Sequence, residues 1–138
     1  MMTEMRFLVD THIFLWMFAD RPDFTKRSRS FLENVESNQF YLSDASVWEA
    51  SIKYGSGKLR LPETPEVFFS DRVRRAEYHH LPIDLRHVSR VYSLPRIHGD
   101  PFDRLLISQS KIEEMTIISN DPVFKLYNVN TVTLGDIS

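Results

Sequence analysis

Several strand-like runs in this chain end on, or lead into, an acidic side chain. They read FLVDTH, SVWEAS, HGDPFDRLL and ISND, and the acids are Asp10, Glu49, Asp100, Asp103 and Asp121. Gathered at one edge of an α/β sheet, these carboxylates would repel one another, which raises their pKa values and costs free energy. A bound divalent cation removes that objection. Hard oxygen ligands suit Mg²⁺ or Mn²⁺ far better than zinc. A cation of that kind activates water and neutralises charge on phosphate, so the pattern points to metal-dependent hydrolysis of phosphodiesters.

Each acid also has an ordinary explanation. Asp10 stands where a strand gives way to a helix, so it could simply cap that helix. Glu49 shares an i, i+3, i+4, i+7 face with Ala45, Trp48 and Ile52, a face expected to pack inward. A carboxylate there needs a ligand or an ion pair, for which Arg6 and Arg104 are the candidates. Asp100 before Pro101 is a strong helix cap. Asp103 lies on a stripe with Leu106, Ile107 and Ser110, which makes it the better ligand and Asp100 its neighbour. Asp121, within Asn120-Asp121-Pro122, is ordinary turn chemistry except for its place at a strand end. All of these explanations must hold together for the site to vanish.

Positioning such a set requires strands separated by helices. Arg6–Asp10 reads as a strand that is apolar and buried on both faces. Thr11–Ala19 reads as a helix, ending in the turn Asp20-Arg21-Pro22-Asp23. Thr25 caps a helix to about Ser37, Gln39–Leu42 is a strand, and Ser43 or Asp44 caps a helix through Lys53. Thr64-Pro65 opens a helix to about Tyr78, His80–Ile83 is a strand, and Asp84 caps a helix to Ser93. Asp100-Pro101 opens a helix to Glu114. Thr116–Ser119 and Val129–Thr133 supply the last strands, with a short helical turn from Pro122 between them. Crossover connections of this kind imply a mainly parallel five-stranded sheet flanked by helices on both faces. Ligands bind beyond the carboxyl ends of such strands.

Bulk composition sets limits. The 138 residues fit one domain, 1–138, with 42% apolar and 26% charged side chains. A formal net charge of −2 gives no basic field of the sort that nucleic-acid binders use for non-specific attraction. With no cysteine there are no disulfides, thiolate metal sites or cysteine nucleophiles, which fits a reducing cytoplasm. Neither a signal-peptide pattern nor an apolar run of membrane-spanning length is evident, so no membrane is expected.

At these blocks the chain resembles the PIN-domain ribonucleases, in particular the VapC-type toxins of bacterial toxin–antitoxin pairs. The resemblance rests on Leu8-Val9-Asp10-Thr11-His12, on Ser46-Val47-Trp48-Glu49-Ala50, on His98-Gly99-Asp100-Pro101-Phe102-Asp103-Arg104-Leu105-Leu106, and on Ile118-Ser119-Asn120-Asp121-Pro122-Val123-Phe124. It implies a Rossmann-like PIN fold and Mg²⁺- or Mn²⁺-dependent endonucleolytic cleavage of RNA. Asp10, Glu49, Asp103 and Asp121 match the family's acidic quartet, with Asp10 and Asp103 as principal metal ligands and Glu49 and Asp121 completing the site. Ser119 and Asn120 stand where the family places side chains that orient water or phosphate. Homodimers and inhibition by a cognate antitoxin protein are further implications.

Two rivals remain: a catalytically inactive PIN-fold interaction module, and another metal-dependent phosphotransfer enzyme, either a phosphatase or an aspartate phosphoacceptor of the receiver type. A receiver needs a strand-end lysine near the acids, and neither Lys111 nor Lys125 is so placed. Gly55-Ser56-Gly57-Lys58 follows a helix rather than a strand and reads as a helix end instead of a phosphate loop, though Lys58 and Arg60 could meet an RNA backbone. His12 and His98 adjoin the acidic blocks, each either moving protons or bracing a turn. Arg72, Arg74 and Arg75 read as a solvated helix face.

Overall fold

The computed structural model describes residues 5–19, 21 and 24–137. In chain order its elements are β1 (Met5–Val9), α1 (Thr11–Met17), α2 (Lys26–Glu33), β2 (Asn38–Ser43), α3 (Asp44–Gly55), α4 (Pro65–Ala76), β3 (His79–Leu81) and α5 (Leu85–Ser89). After a 3-10 turn at Val91–Ser93 come α6 (Pro101–Glu113), β4 (Thr116–Ile118), a second 3-10 turn at Pro122–Tyr127, β5 (Thr131–Val132) and α7 (Leu134–Ile137). All strand pairs are parallel, in the order β3-β2-β1-β4-β5.

Alternation along the central strands divides the apolar residues between two cores. Phe7 and Val9 of β1, Phe40 and Leu42 of β2, and Ile118 of β4 face one layer, built from α1, α2, α4 and α7. Leu8, Tyr41 and Ile117 face the other, with Ala45, Leu105, Leu106 and Ile107 against them. A two-residue period explains this, since neighbouring side chains on a strand point to opposite faces. Both faces are therefore covered, as a parallel sheet requires.

Boundaries differ from expectation where local chemistry competes with the helix. The second helix stops at Glu33 rather than near Ser37, because the Asn34 side chain accepts the Ser37 amide at 3.3 Å in a turn of its own. The fourth stops at Ala76: Glu77 turns left-handed at φ 58°. Tyr78 then enters the core, its hydroxyl donating to the Leu32 carbonyl at 2.7 Å. β3 begins one residue early and ends before Pro82, which has no amide to donate. The helix after Asp84 closes at Ser89, with a separate tight turn over Val91–Ser93. No sequence pattern marks α7. At four residues it is too short to show a period, and it is held by reciprocal bonds between Thr133 and Asp136 at 2.8 and 3.1 Å. The turn expected at Asp20–Asp23 falls mostly outside the described residues.

Candidate metal centre

Strand order reverses at β1, whose neighbours β2 and β4 lead the chain in opposite directions along the sheet. A crevice beyond the carboxyl ends of strands at such a switch point is where open α/β sheets bind ligands. Asp10 ends β1 there, its amide donating to the Ile118 carbonyl of β4 at 2.9 Å. A cleft of about 370 Å³ opens at this edge, and Asp10, Glu49, Asp100, Asp103 and Asp121 all line it. The sequence-expected acids are brought together.

Each is held by donors from its own or a neighbouring element. Asp10 is 5% exposed. Its Oδ1 accepts the Thr11 amide at 2.7 Å and its Oδ2 accepts the Ser119 hydroxyl at 2.7 Å. It is thus both the cap of α1 and a member of the cleft. His12 Nδ1 stands 3.0 Å from the same Oδ2, while His12 Nε2 accepts the Asn120 amide at 3.4 Å. Glu49 receives the Thr11 hydroxyl on Oε1 at 3.0 Å and Lys53 Nζ on Oε2 at 3.2 Å. Asp100 caps α6, accepting the amides of Phe102 and Asp103. Asp103 Oδ2 faces His98 Nε2 at 3.1 Å. Asp121 is exposed and caps the turn at Pro122–Tyr127 through the Val123 amide, while its own amide donates to Ser119 Oγ.

Two expectations about this region are overturned. Of the α3 face that carries Glu49, Ala45 packs inward but Trp48 and Ile52 do not, being 54% and 50% exposed. The inward positions are Ala45, Ser46 and Ala50, because the helix lies with its small residues against the sheet. Glu49 pairs with Lys53 one turn on, and not with Arg6 or Arg104. Arg6 instead reaches the Glu113 carbonyl at 2.9 Å, and Arg104 the Pro95 carbonyl at 2.7 Å. The Asn120 side-chain oxygen accepts the Leu134 amide at 2.8 Å and anchors α7.

Electrostatics favour a cation here. Burial pushes the Asp103 carboxyl up to about 6, the His98 hydrogen bond opposing this and the charges of Asp100, Asp10 and Glu49 adding to it. The cleft's side-chain cations are Lys53 and Lys58, against five carboxylates. Among the described residues Asp103 Oδ1 receives no hydrogen bond. An all-oxygen donor set with excess negative charge fits Mg²⁺ or Mn²⁺. Asp10, Glu49 and Asp103 are among the less exposed carboxylates of the cleft and would hold one, and Asp121 lies exposed at its rim.

Sequence reasoning missed Thr11, Lys53 and Tyr127 as parts of the site. Thr11 bridges Asp10 and Glu49 through its amide and hydroxyl, a role that its place after Asp10 left open. Lys53 was readable as the i+4 partner of Glu49. Tyr127, whose hydroxyl meets His98 Nδ1 at 2.5 Å, carried no signal at a separation of 29 residues. Gly57 closes α3 at φ 77°, with the Lys58 amide reaching back to the Lys53 carbonyl at 2.8 Å. That is a helix end rather than a phosphate loop, as read, and it delivers Lys58 to the cleft wall. Arg72 departs from a solvated face, being 12% exposed and packed over Phe68.

The PIN domain family matches residues 7–130. The chain belongs to the PIN domain family. A segment of 67 residues is 36% identical to Ribonuclease VapC16 of Mycobacterium tuberculosis, covering 49% of this chain and 47% of that relative. The match thus spans about half the relative's length. In fold the chain is similar to VapBC2 of Rickettsia felis bound to a promoter DNA fragment, with a TM-score of 0.72 at 16% identity, covering 94% of this chain and 98% of that one. FitAcB of Neisseria gonorrhoeae superposes with a TM-score of 0.66 at 18% identity over 94% and 98% of the two chains. The DNA-bound VapBC of Salmonella typhimurium gives 0.71 at 13% identity, with the same coverage.

Proposed function

We propose that this chain, a single PIN domain over residues 1–138, is a Mg²⁺- or Mn²⁺-dependent endoribonuclease and the toxin of a cytoplasmic toxin–antitoxin pair. The observation that carries the reading is the cleft at the β1/β4 switch point, where Asp10 and Asp103 are held with Glu49, Asp100 and Asp121 and the Asp103 carboxyl is pushed up to about 6. Similarity to a protein named as a ribonuclease supports the substrate, and similarity in fold to toxin–antitoxin complexes supports a cognate antitoxin as partner.

Asp10, Glu49 and Asp103 supply the oxygens that hold the cation, and Asp121 extends the set. A divalent cation bound there would supply Lewis-acid polarisation and charge neutralisation at a phosphate. The chain's own part is orientation. Thr11 fixes Asp10 and Glu49 relative to each other, and Ser119 clamps Asp10 to the end of β4. Lys53 and Lys58 place positive charge on the wall for the phosphate backbone of RNA.

Incubation of the purified chain with total RNA in Mg²⁺, in Mn²⁺ and in chelator tests the reading. Cleavage that needs the cation and disappears in Asp10→Ala supports it. Metal-independent cleavage, or an Asp10→Ala enzyme as active as the wild type, overturns it. An inactive interaction module would instead show neither hydrolysis nor Mn²⁺ binding by calorimetry.

The homodimer belongs to the same proposal. Val88, Tyr92 and Leu85, on α5 and the turn after it, are 47%, 86% and 78% exposed, and Val88 lines a groove of about 640 Å³ together with Trp48, Pro101, Leu105, Arg96 and Arg104. Apolar surface of this kind marks an interface. Light scattering of Val88→Asp should show a monomer where the wild type is a dimer, and a wild-type monomer removes the assignment.

A further inference from the structure

His98 lies between two side chains that the sequence keeps apart. On one side its Nε2 meets Asp103 Oδ2 at 3.1 Å, and on the other its Nδ1 meets the Tyr127 hydroxyl at 2.5 Å. Tyr127 is 1% exposed, so its oxygen has no solvent to satisfy it. That oxygen also receives the His98 backbone amide at 3.2 Å and Arg104 Nη1 at 3.2 Å. A phenol has one proton to give and two lone pairs to accept with. Backbone amide and guanidinium can only donate, so they occupy the lone pairs. Two acceptors compete for the phenolic proton, His98 Nδ1 at 2.5 Å and the His98 carbonyl at 3.4 Å, and the far shorter contact takes it. A ring nitrogen that accepts carries no hydrogen, and the neutral imidazole holds its proton on Nε2, pointing at Asp103. The tautomer therefore follows from the donor count together with these two distances.

We propose that His98 and Tyr127 act as a pair of positioning residues for Asp103. Tyr127 selects the Nε2–H tautomer of His98, which holds Asp103 Oδ2 and leaves Oδ1 free toward the acidic cleft, and this sets how tightly the cleft takes a divalent cation. The inference rests on the reading of the cleft as a cation site. Donors that orient a ligating carboxylate commonly change metal affinity by about 10- to 100-fold when removed.

A purely structural role for His98 is the alternative, and Arg104 weakens it. Arg104 already ties the loop ahead of α6 to its helix through the Pro95 carbonyl at 2.7 Å and the Val91 carbonyl at 3.3 Å. Asp100 caps the helix without the imidazole. His98 side-chain bonds therefore go to Asp103 and Tyr127, one a candidate ligand and the other a buried phenol.

Mn²⁺ binding to the full chain, followed by calorimetry and by electron paramagnetic resonance of the free ion, tests this with no need for turnover. His98→Leu should weaken Mn²⁺ binding by about 10- to 100-fold. His98→Gln, whose amide can donate from near the Nε2 position, should restore most of that loss. Tyr127→Phe should weaken binding by less than His98→Leu, because the imidazole remains but loses its fixed tautomer. Nitrogen-15 spectra of the imidazole in metal-free protein report that tautomer directly: Nε2–H in the wild type and a mixture in Tyr127→Phe. The proposal is overturned by a wild-type ring in the Nδ1–H form, by His98→Leu binding Mn²⁺ as the wild type does, or by His98→Gln failing to restore affinity. If Asp103→Asn loses Mn²⁺ while His98→Leu does not, the cation site stands and the positioning role falls. If the wild type itself does not bind Mn²⁺, both fall. Should His98→Leu not fold, His98→Gln, Tyr127→Phe and the wild-type spectrum still decide.

Discussion

Helix α6 carries carboxylate and imidazole groups near each end, and the two groupings use the same residue types to opposite effect. At its start, Asp103 and His98 join Asp10, Glu49 and Asp100 around an open cleft. Ten residues on, about 15 Å along the helix, Glu113 meets His87 and Asp84. Their ligand atoms lie within 4.8 Å of one another, a spacing that would suit an ion. Yet that second grouping is complete without one. Arg86 donates to Asp84 Oδ2 at 2.9 Å and to Glu113 Oε2 at 3.2 Å. His87, 1% exposed, accepts the Asp84 amide on Nδ1 at 3.1 Å and so points its Nε2 proton at Glu113, 3.0 Å away. The Arg86 hydrogen bond holds the Asp84 carboxyl below the usual carboxylate range, whereas burial pushes Asp103 up to about 6. What separates the two is charge: one has excess negative charge and an uncommitted oxygen, the other has a guanidinium already in place. Close approach of ligand atoms marks the second; unmet charge marks the first.

The largest test of that contrast is to neutralise one carboxylate in each. Asp103→Asn should lower metal-dependent RNA cleavage on the order of 10³-fold, the scale of several kcal/mol of lost charge stabilisation. Glu113→Gln should leave cleavage and its metal requirement unchanged. Initial rates on a defined RNA across a Mg²⁺ titration check both, and equal losses in the two variants would break the distinction.

Next in size is stability. His87→Ala should cost about 2–4 kcal/mol, since it opens a cavity and leaves buried donors unpaired. Gln109 is among those donors: its Nε2 approaches His87 Nδ1 at 3.3 Å and the Pro82 carbonyl at 3.3 Å, and its Oε1 accepts the Ser43 hydroxyl at 2.5 Å. Urea denaturation of metal-free protein measures the cost. Mn²⁺ affinity of the folded variant should remain that of the wild type, and a parallel loss of affinity would join the two groupings into one.

A third difference lies in their response to the ion. Mn²⁺ at about a hundred times its dissociation constant should stabilise the wild type by about 2.7 kcal/mol. Glu113→Gln should keep that gain in thermal unfolding, and Asp103→Asn should lose most of it.

Much of the acidic cleft was legible in the sequence because its members sit at positions that topology dictates. Asp10 ends a buried strand and Asp121 follows another, so the parallel sheet carries them to the same edge. Asp100 and Asp103 ride the N-terminus of a helix whose cap-then-proline opening is strongly encoded. The face of α3 was misjudged for a physical reason: periodicity marked Trp48 and Ile52 as apolar, but an apolar stripe says only that something covers it. The small residues Ala45, Ser46 and Ala50 took the place against the sheet. The supporting donors were less legible. Thr11 reaches Glu49 only once β1 and β2 are paired, and Ser119 reaches Asp10 only once β1 and β4 are. Tyr127 meets His98 across the fold, and hydrogen bonds of that range leave no local pattern.

The smallest effect expected is a pH dependence, and its sign separates the two ends of α6. A carboxyl whose folded pKa is raised costs stability when ionised. For Asp103, at about 6 in the fold against an ordinary carboxyl value of 3.8, that cost is absent below the unfolded value, grows between the two, and is complete above the folded one. Acidifying metal-free protein from neutrality toward the lower value should therefore remove a destabilisation. Asp84 runs the other way. Its depressed pKa gives stability that is present above the unfolded value and lost only as pH falls through the folded one, below the range where Asp103 acts. Asp103→Asn removes the first dependence and leaves the second. In chelator, Asp103→Asn should melt above the wild type near neutral pH, and the gap should narrow on acidification. Saturating Mg²⁺ should reverse the order, because only the wild type retains the charge that holds the ion. A gap that stays constant across this range would mean that Asp103 carries no excess repulsion in the fold, and the charge argument for a cation would then rest on Asp10 and Glu49 alone.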